Sequence, residues 1–401
     1  MSNTWLQVYD GEHKRRLRLR LTLYGWCAVK TRCLSLMLLV FQFFSAYLVF
    51  LDSFCIVSQQ KGSSSCRKER SPADSAMGLE PEVISDNEEM RSWSRNQRRN
   101  GETIALVPTM GFLHQGHLSL IEEAKKHAGV VVVSIYVNPG QFAPGEDLSR
   151  YPSDFEGDLS KLREVECVNV VFHPRNLYET TTKVMEPKEA GEDALEGRKK
   201  AVSCLEEDGK KGHQTWIRVE KLEKNLCGRS RPVFFRGVAT VVAKLFNIVE
   251  PDFAVFGKKD YQQWRLICRM VSPSLLCVHI FVRDLNFPIN IIGSELVRDE
   301  DGLAMSSRNV HLSPEQREKA LSISRSLLKA KVDVQRGQTS ATELRNAIIK
   351  SISQAGGRID YAEVVEQENL EAVEEVCGPV VICIAAWFGN VRLIDNLEIN
   401  S

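Results

Sequence analysis

The stretch Pro108–His117, P-T-M-G-F-L-H-Q-G-H, gathers residue types suited to holding an anion. Two glycines, Gly111 and Gly116, let backbone approach a ligand closely. His114 and His117 lie three apart, so at a helix start they share a face and can donate to phosphate oxygens. The apolar run Ile104–Val107 precedes the stretch, and the amphipathic run His117–His127 follows it. That pattern predicts strand, tight turn and helix, with the free N–H groups and positive end of the helix aimed at whatever the turn holds. Two other readings fit the spacing. One is a plain β–α turn with two surface histidines. The other is a zinc site, although H-x-x-H alone lacks the remaining ligands.

Three further loops carry compatible groups: N-P-G-Q-F (Asn138–Phe142), G-K-K-D-Y-Q-Q (Gly257–Gln263) and M-S-S-R (Met305–Arg308). Lysine and arginine offset phosphate charge, while hydroxyls and N–H groups bind its oxygens, so the combined inventory suits a triphosphate. The amides of Gln141 and Gln263 suit a small hydroxylated carboxylate. Taken singly, K-K-D also reads as a solvated turn, S-S-R as a helix cap and N-P as a turn starter. The chain has neither a G-x-S-x-G elbow nor a Walker G-x-x-x-x-G-K-[ST], and no covalent nucleophile stands out. This favours direct attack of a substrate carboxylate on a nucleotide, with catalysis by positioning and charge stabilisation.

The elements that must position these loops alternate strand and helix. Val130–Val137 is a nearly continuous β-branched run, as in a strand buried on both faces of a parallel sheet. Further strands are predicted at Val168–Phe172, Phe253–Phe256 and Ile289–Ile292, and helices over Ser153–Glu164 and Gly237–Val249. Ser85 with Glu88 predicts a capped helix through Arg98, and Ser313-Pro314 with Gln316 caps one over 314–333. A helix near 341–353 and strands near 359–366, 380–386 and 391–395 complete a small mixed domain. The pattern is α/β and doubly wound, and ligands of such sheets gather beyond the carboxyl ends of the strands.

The chain has 401 residues, enough for two domains. Its 52 basic and 52 acidic residues balance, which argues against broad nucleic-acid binding. Eleven cysteines without regular spacing point to free thiols in a reducing compartment. Residues 1–76 differ from the rest. Lys14–Arg20 is basic, Cys33–Leu51 is uncharged and long enough to span a bilayer, and Gln59–Ala76 is polar and serine-rich. The preferred reading is a dispensable extension outside the catalytic fold; a membrane anchor and a targeting peptide are the alternatives. Lys183–Lys211 reads as a charged, flexible insertion. Ser272–Val282 is apolar and interrupts what otherwise reads R-M-V-R-D-L. It is either an in-frame insertion, of the kind a retained intron leaves, or an extra strand.

Together the stretches V-P-T-M-G-F-L-H-Q-G-H-L-S-L, Y-V-N-P-G-Q-F, F-R-G-V-A-T-V-V-A-K-L-F, F-G-K-K-D-Y-Q-Q and D-G-L-A-M-S-S-R-N closely resemble pantothenate synthetase, the pantoate–β-alanine ligase family, in its plant form. The resemblance covers about Met77 to Asn396 apart from 183–211 and 272–282. It implies a Rossmann-like nucleotidyltransferase domain of the HIGH superfamily at 77–296 and a C-terminal lid at 297–401. It also implies a cytosolic homodimer acting on pantoate and β-alanine, with ATP as substrate and Mg2+ accompanying it. Pantoyl adenylate forms first, and the β-alanine amine then displaces AMP. By the same resemblance, Met110, Gly111, His114, Gly116 and His117 bind ATP, with His117 as proton donor and His114 on the phosphates. Gly257, Lys258, Lys259 and Asp260 also bind ATP, and Lys259 stabilises the pentavalent transition state. Val297 meets adenine through its backbone, and Met305, Ser306, Ser307 and Arg308 grip phosphates. Gln141 contacts pantoate and β-alanine, Gln263 contacts pantoate, and Asn138 shapes that pocket. Many members carry Gly-His where this chain has Val233 and Phe234, so that histidine's role does not transfer.

Two alternatives are an adenylyltransferase of the same superfamily and a membrane-tethered binding protein without turnover. The amides of N-P-G-Q-F and D-Y-Q-Q favour a polyol end over a phosphate, and so the ligase over the adenylyltransferase.

Overall fold

The computed structural model describes residues 7–8, 17–18, 80–143, 146–178, 213–271 and 284–400. The apolar 33–51 run, the polar 59–76 stretch and the two insertions, 183–211 and 272–282, lie outside the described residues. The chain divides into two compact units, Met1–Ser75 and Ala76–Ser401. In the first, β1 (Gln7–Val8) pairs antiparallel with β2 (Leu17–Arg18).

The second unit is built on six parallel strands: β3 (Glu82–Ile84), β4 (Ile104–Thr109), β5 (Val130–Ile135), β6 (Val170–Phe172), β7 (Phe253–Gly257) and β8 (Asn290–Ser294). Their order is β3-β6-β5-β4-β7-β8. All of β5 is buried, as its unbroken V-V-V-V-S-I requires, because helices cover both faces. The helices are α1 (Asn87–Arg99), α2 (Gln115–His127), α3 (Phe155–Glu164), the single turn α4 (Cys227–Ser230), α5 (Phe234–Val249) and α6 (Tyr261–Met270). Ile121 and Ala124 of α2 and Leu162 of α3 pack with Val107, Val131 and Val133 on one face. Met90 of α1, Phe246 of α5 and Leu266 of α6 pack with Ile104, Leu106 and Val132 on the other. The sequence placed the cap of α1 at Ser85. The structure corrects this to Asp86, whose carboxylate accepts the N–H groups of Glu88 and Glu89 at 2.9 Å each.

From β4 the chain winds outward through β5 and β6, and later through β7 and β8 on the opposite side. The loop after β4 therefore lies between two loops whose chains depart in opposite directions, the usual crevice for ligands in open sheets.

Beyond β8 come α7 (Pro314–Gln335) and α8 (Ala341–Gln354), then β9 (Arg358–Glu366), β10 (Val380–Phe388) and β11 (Val391–Ile399). The Ser313–Gln316 capping box of α7 forms as expected. These strands make an antiparallel sheet with β10 in the middle. Leu321 and Leu327 of α7 and Leu344 and Ile348 of α8 cover one face against Ile382 and Ile384. The other face, with Tyr361, Val381 and Cys383, joins the core of the parallel sheet's helices.

The ends of the 272–282 interruption are informative. Asp284 N–H donates to Arg269 O at 3.1 Å, and Leu285 N–H to Met270 O at 3.3 Å. Each bond spans fifteen positions, or four once the eleven of 272–282 are discounted, which is helical i to i+4 spacing. Val271 also bridges to Phe287. Residues 284 and 285 thus sit where α6 would place them if 272–282 were absent. Joining Val271 directly to Arg283 is expected to leave the cooperative melt intact and to add about 2 kcal/mol of stability by removing a loop closure. A variant that loses its cooperative melt would refute this.

Candidate active site

A cavity of about 1220 Å³ opens at the carboxyl ends of β4, β5, β7 and β8. The turn after β4 borders it through Met110 and His114, and between them Gly111 (φ +82°) and Phe112 (φ +52°) are both left-handed. A Cβ on Gly111 would lie 3.0 Å from the Asp158 carboxylate and 3.2 Å from Ile135, a tight fit that adds to the preference for glycine set by its φ. Asp158, buried in α3, accepts the N–H groups of Phe112 at 2.7 Å and Leu113 at 2.6 Å, and so clamps this backbone. Burial raises its pKa, and the two N–H bonds oppose that rise. Asp158→Ala would leave both N–H groups unpaired, at about 2–4 kcal/mol. The expected result is a lower melting temperature together with a higher KM for ATP; a change in melting alone would show that the clamp does not position the site.

His114 and His117 form the N-terminal cap of α2. His114 Nδ1 accepts the Gly116 N–H at 3.1 Å, and His117 Nδ1 accepts the His114 N–H at 3.3 Å. Both Nδ1 atoms are acceptors, so each ring carries its proton on Nε2, leaving that N–H for the cavity both rings line. The rings lie 4.0 Å apart. Burial, then the Lys259 charge, pushes the His114 pKa down to about 4. Burial, then His114 itself, pushes His117 to about 3. Both are therefore neutral hydrogen-bond donors at neutral pH. His117 can pass on its Nε2 proton but does not sit there as an imidazolium acid.

The K-K-D turn after β7 separates its two lysines. Lys259 and Asp260 line the cavity, with Lys259 Nζ 3.5 Å from the Asp260 carboxylate. Lys258 does not line it. Its ammonium is held by Glu295 at 2.6 Å and Glu398 at 2.9 Å, over the Trp264 ring, apart from the other residues expected to bind ATP. Gly111 likewise shapes the turn without lining the cavity. The carbonyls of Lys258 and Lys259 are fixed by the Asn396 amide at 2.9 and 2.8 Å, so the antiparallel sheet sets the turn that aims Lys259. Arg298 braces Asp395 beside it at 2.7 and 2.9 Å.

Met110, Gly116, Gly257, Val297 and Gln263 reach the same cavity, as do Met305, Ser306, Ser307 and Arg308. Ser307 Oγ lies 3.3 Å from the Tyr151 hydroxyl, and Arg308 stacks over the Tyr151 ring. Asn138 and Gln141 come from the 3-10 turn after β5 and also line it. Phe234, at the departed histidine position, lines the cavity and carries the Arg231 guanidinium 4.0 Å over its ring, while Arg231 pairs with Glu146 at 2.6 Å.

Sequence reading missed Asp158, Tyr151, Arg231 and Asn396. Asp158 left one signal, an acid on the apolar side of a helix beside Leu159 and Leu162. The others come from distant segments and left none. Among the described residues no cluster of three His, Cys, Asp or Glu could hold a metal, and no helix is long and apolar enough to cross a membrane.

The family model for pantoate-beta-alanine ligase matches residues 82–398. A pantoate–β-alanine ligase of Lotus japonicus is 60% identical over 324 residues, covering 80% of this chain and all of the relative. A pantothenate synthetase structure from Thermus thermophilus superposes with TM-score 0.65 at 38% identity, covering 80% of this chain and all of that one. The pantoate–β-alanine ligase of Francisella tularensis, complexed with β-γ ATP and β-alanine, superposes with TM-score 0.56 at 29% identity over 79% of this chain and 97% of that one.

Proposed function

The chain belongs to the pantoate–β-alanine ligase family, whose members make pantothenate by ATP-dependent condensation, and we propose how its own residues carry that reaction. The observation that carries the proposal is the cavity's donor set. Two neutral Nε2–H groups, the α2 N-terminus, Lys259 and the Ser306–Arg308 turn converge on one space. These groups fit the polyphosphate of ATP. The pantoate carboxylate oxygen attacks the α-phosphorus and pyrophosphate leaves. Lys259 and the histidine N–H groups offset the charge on the pentavalent oxygens. The β-alanine amine, once deprotonated, then attacks the acyl carbon of pantoyl adenylate. The new amide is pantothenate, and AMP leaves with the bond electrons. No side chain bonds covalently to substrate. Gln141 and Gln263 orient pantoate, and Val297 meets adenine through its backbone.

Magnesium enters as the ion carried by ATP. Residues 297–401 act as the lid over 77–296, through Asn396 and Arg298. The family resemblance supports a cytosolic homodimer, checked by light scattering on purified protein and by fractionation. Residues 1–76 are a dispensable extension: the whole Lotus relative aligns to 324 residues of this chain, and the family match begins at residue 82. Peptides from 1–76 in the native protein would count against that.

The deciding assay is AMP release by residues 77–401 with ATP and magnesium, adding pantoate and β-alanine separately and together. AMP that needs both substrates supports the ligase. AMP with neither, or none from a folded sample, counts against the ligase reading of this chain.

A further inference from the structure

The Tyr178 phenol is buried, and its hydroxyl donates to Asn138 Oδ1 at 2.6 Å. Asn138 is itself buried, and every hydrogen-bonding position of its amide is filled from within the protein. Oδ1 also accepts the Gly140 N–H at 3.2 Å, and Nδ2 donates to Gly237 O at 3.2 Å and to Gln141 Oε1 at 2.9 Å. Asn138 therefore has nothing left to offer a ligand. Its effect falls on Gln141. With Oε1 held by Asn138, the Gln141 amide is fixed in one orientation, its nitrogen on the side away from Asn138. One N–H of that nitrogen meets the weak acceptor Met110 Sδ at 3.3 Å, and the other is left for the cavity that Gln141 lines.

We propose that Tyr178 is a positioning residue for the substrate amide: acting through Asn138, its hydroxyl holds Gln141 with N–H toward the cavity, so this subsite selects a hydrogen-bond acceptor, a hydroxyl or carboxylate oxygen, on the acid substrate. The inference rests on the ligase reading for the identity of that acid. The surroundings suit a fixed donor. The ring is held edge-on by His213 at 4.9 Å and flanked by the tilted Trp216 ring at 6.0 Å, with the Lys244 ammonium 5.3 Å above it. A Cβ on Gly140 would lie 2.7 Å from the phenol oxygen, so only glycine lets the turn approach it. Burial raises the phenol pKa far above neutrality, so the hydroxyl keeps its proton at any working pH.

The test is steady-state kinetics of Tyr178→Phe in the full chain, which keeps the ring and removes only the donor. The expected change is a rise of about tenfold in KM for pantoate, with KM for ATP within about twofold, a loss equivalent to about 1.4 kcal/mol. In a Gln141→Ala background the same substitution is expected to add nothing, since the group being positioned is gone. Gln141→Glu, which puts oxygen where the N–H stands, is expected to raise the pantoate KM at least as much, and it tests the donor-facing amide even if Tyr178→Phe folds poorly. An unaltered pantoate KM in Tyr178→Phe would overturn the proposal. So would an equal loss in the Gln141→Ala background, or parallel rises for pantoate and ATP. A wild-type chain without pantoate-dependent turnover would sink the ligase reading and this inference together, whereas an active wild type with an unaffected variant would sink only this one.

Discussion

Lys259→Ala is expected to lower kcat by about 10²–10³ while leaving the fold intact. The size follows from removing one preorganised charge that faces the cavity. The neighbouring lysine is the control. Lys258 is neutralised by Glu295 and Glu398 and lies outside the cavity, so Lys258→Ala is expected to change stability and leave kcat within a few-fold. A second signature distinguishes a charge acting on the site from a merely structural lysine. Lys259 helps hold both histidine pKa values down, so its removal is expected to shift the acid limb of the rate profile to higher pH. Equal losses in both lysine variants, or an unmoved acid limb, would contradict the assignment.

His117→Ala is expected to lower kcat about a hundredfold and to alter the KM for ATP by less than about threefold, since a neutral donor gains most when phosphate charge develops. Loss of its cap contribution costs about 1 kcal/mol of stability as well. The histidine pair also makes a stability prediction. Unfolded histidine takes up a proton near pH 6.5, whereas folded His114 and His117 resist until about 4 and about 3. Between those limits the unfolded chain binds more protons, so stability is full above about pH 6.5 and falls as pH drops through the window. Each ring contributes of the order of 3 kcal/mol. Thermal melts of the ligand-free chain from pH 7 to pH 4 are expected to show this decline, and His117→Ala is expected to flatten it. An equal slope in the variant would mean the ring is not buried in its neutral form.

Much of the architecture was legible because the sheet is buried on both faces. The V-V-V-V-S-I run of β5 has no polar face, and a glycine-rich turn followed by an amphipathic run can hardly be other than strand and helix. The four chemical loops were legible for the same reason, since each stands at the end of a strong apolar signal or opens a capped helix. What escaped were contacts between segments far apart in sequence. Asp158 clamps Phe112 from 46 positions away, and Asn396 fixes Lys259 from 137 away. Neither pairing has a local pattern. Lys258 and Lys259 are identical in type and adjacent, so only Glu295 and Glu398, drawn to one of them by the fold, tell them apart. The cap at Asp86 in place of Ser85 has a simpler cause. Either side chain can cap a helix, and Ser85 and Asp86 stand side by side, so the local pattern does not choose between them.

The helical spacing kept across the break between Val271 and Asp284 has a practical consequence. The backbone on either side closes its own hydrogen bonds, so this point can carry foreign cargo at little cost to its surroundings. None of the residues at 269–271 or 284–287 lines the cavity. An epitope tag or fluorescent reporter therefore belongs at this junction rather than in any of the four loops whose residues line the cavity.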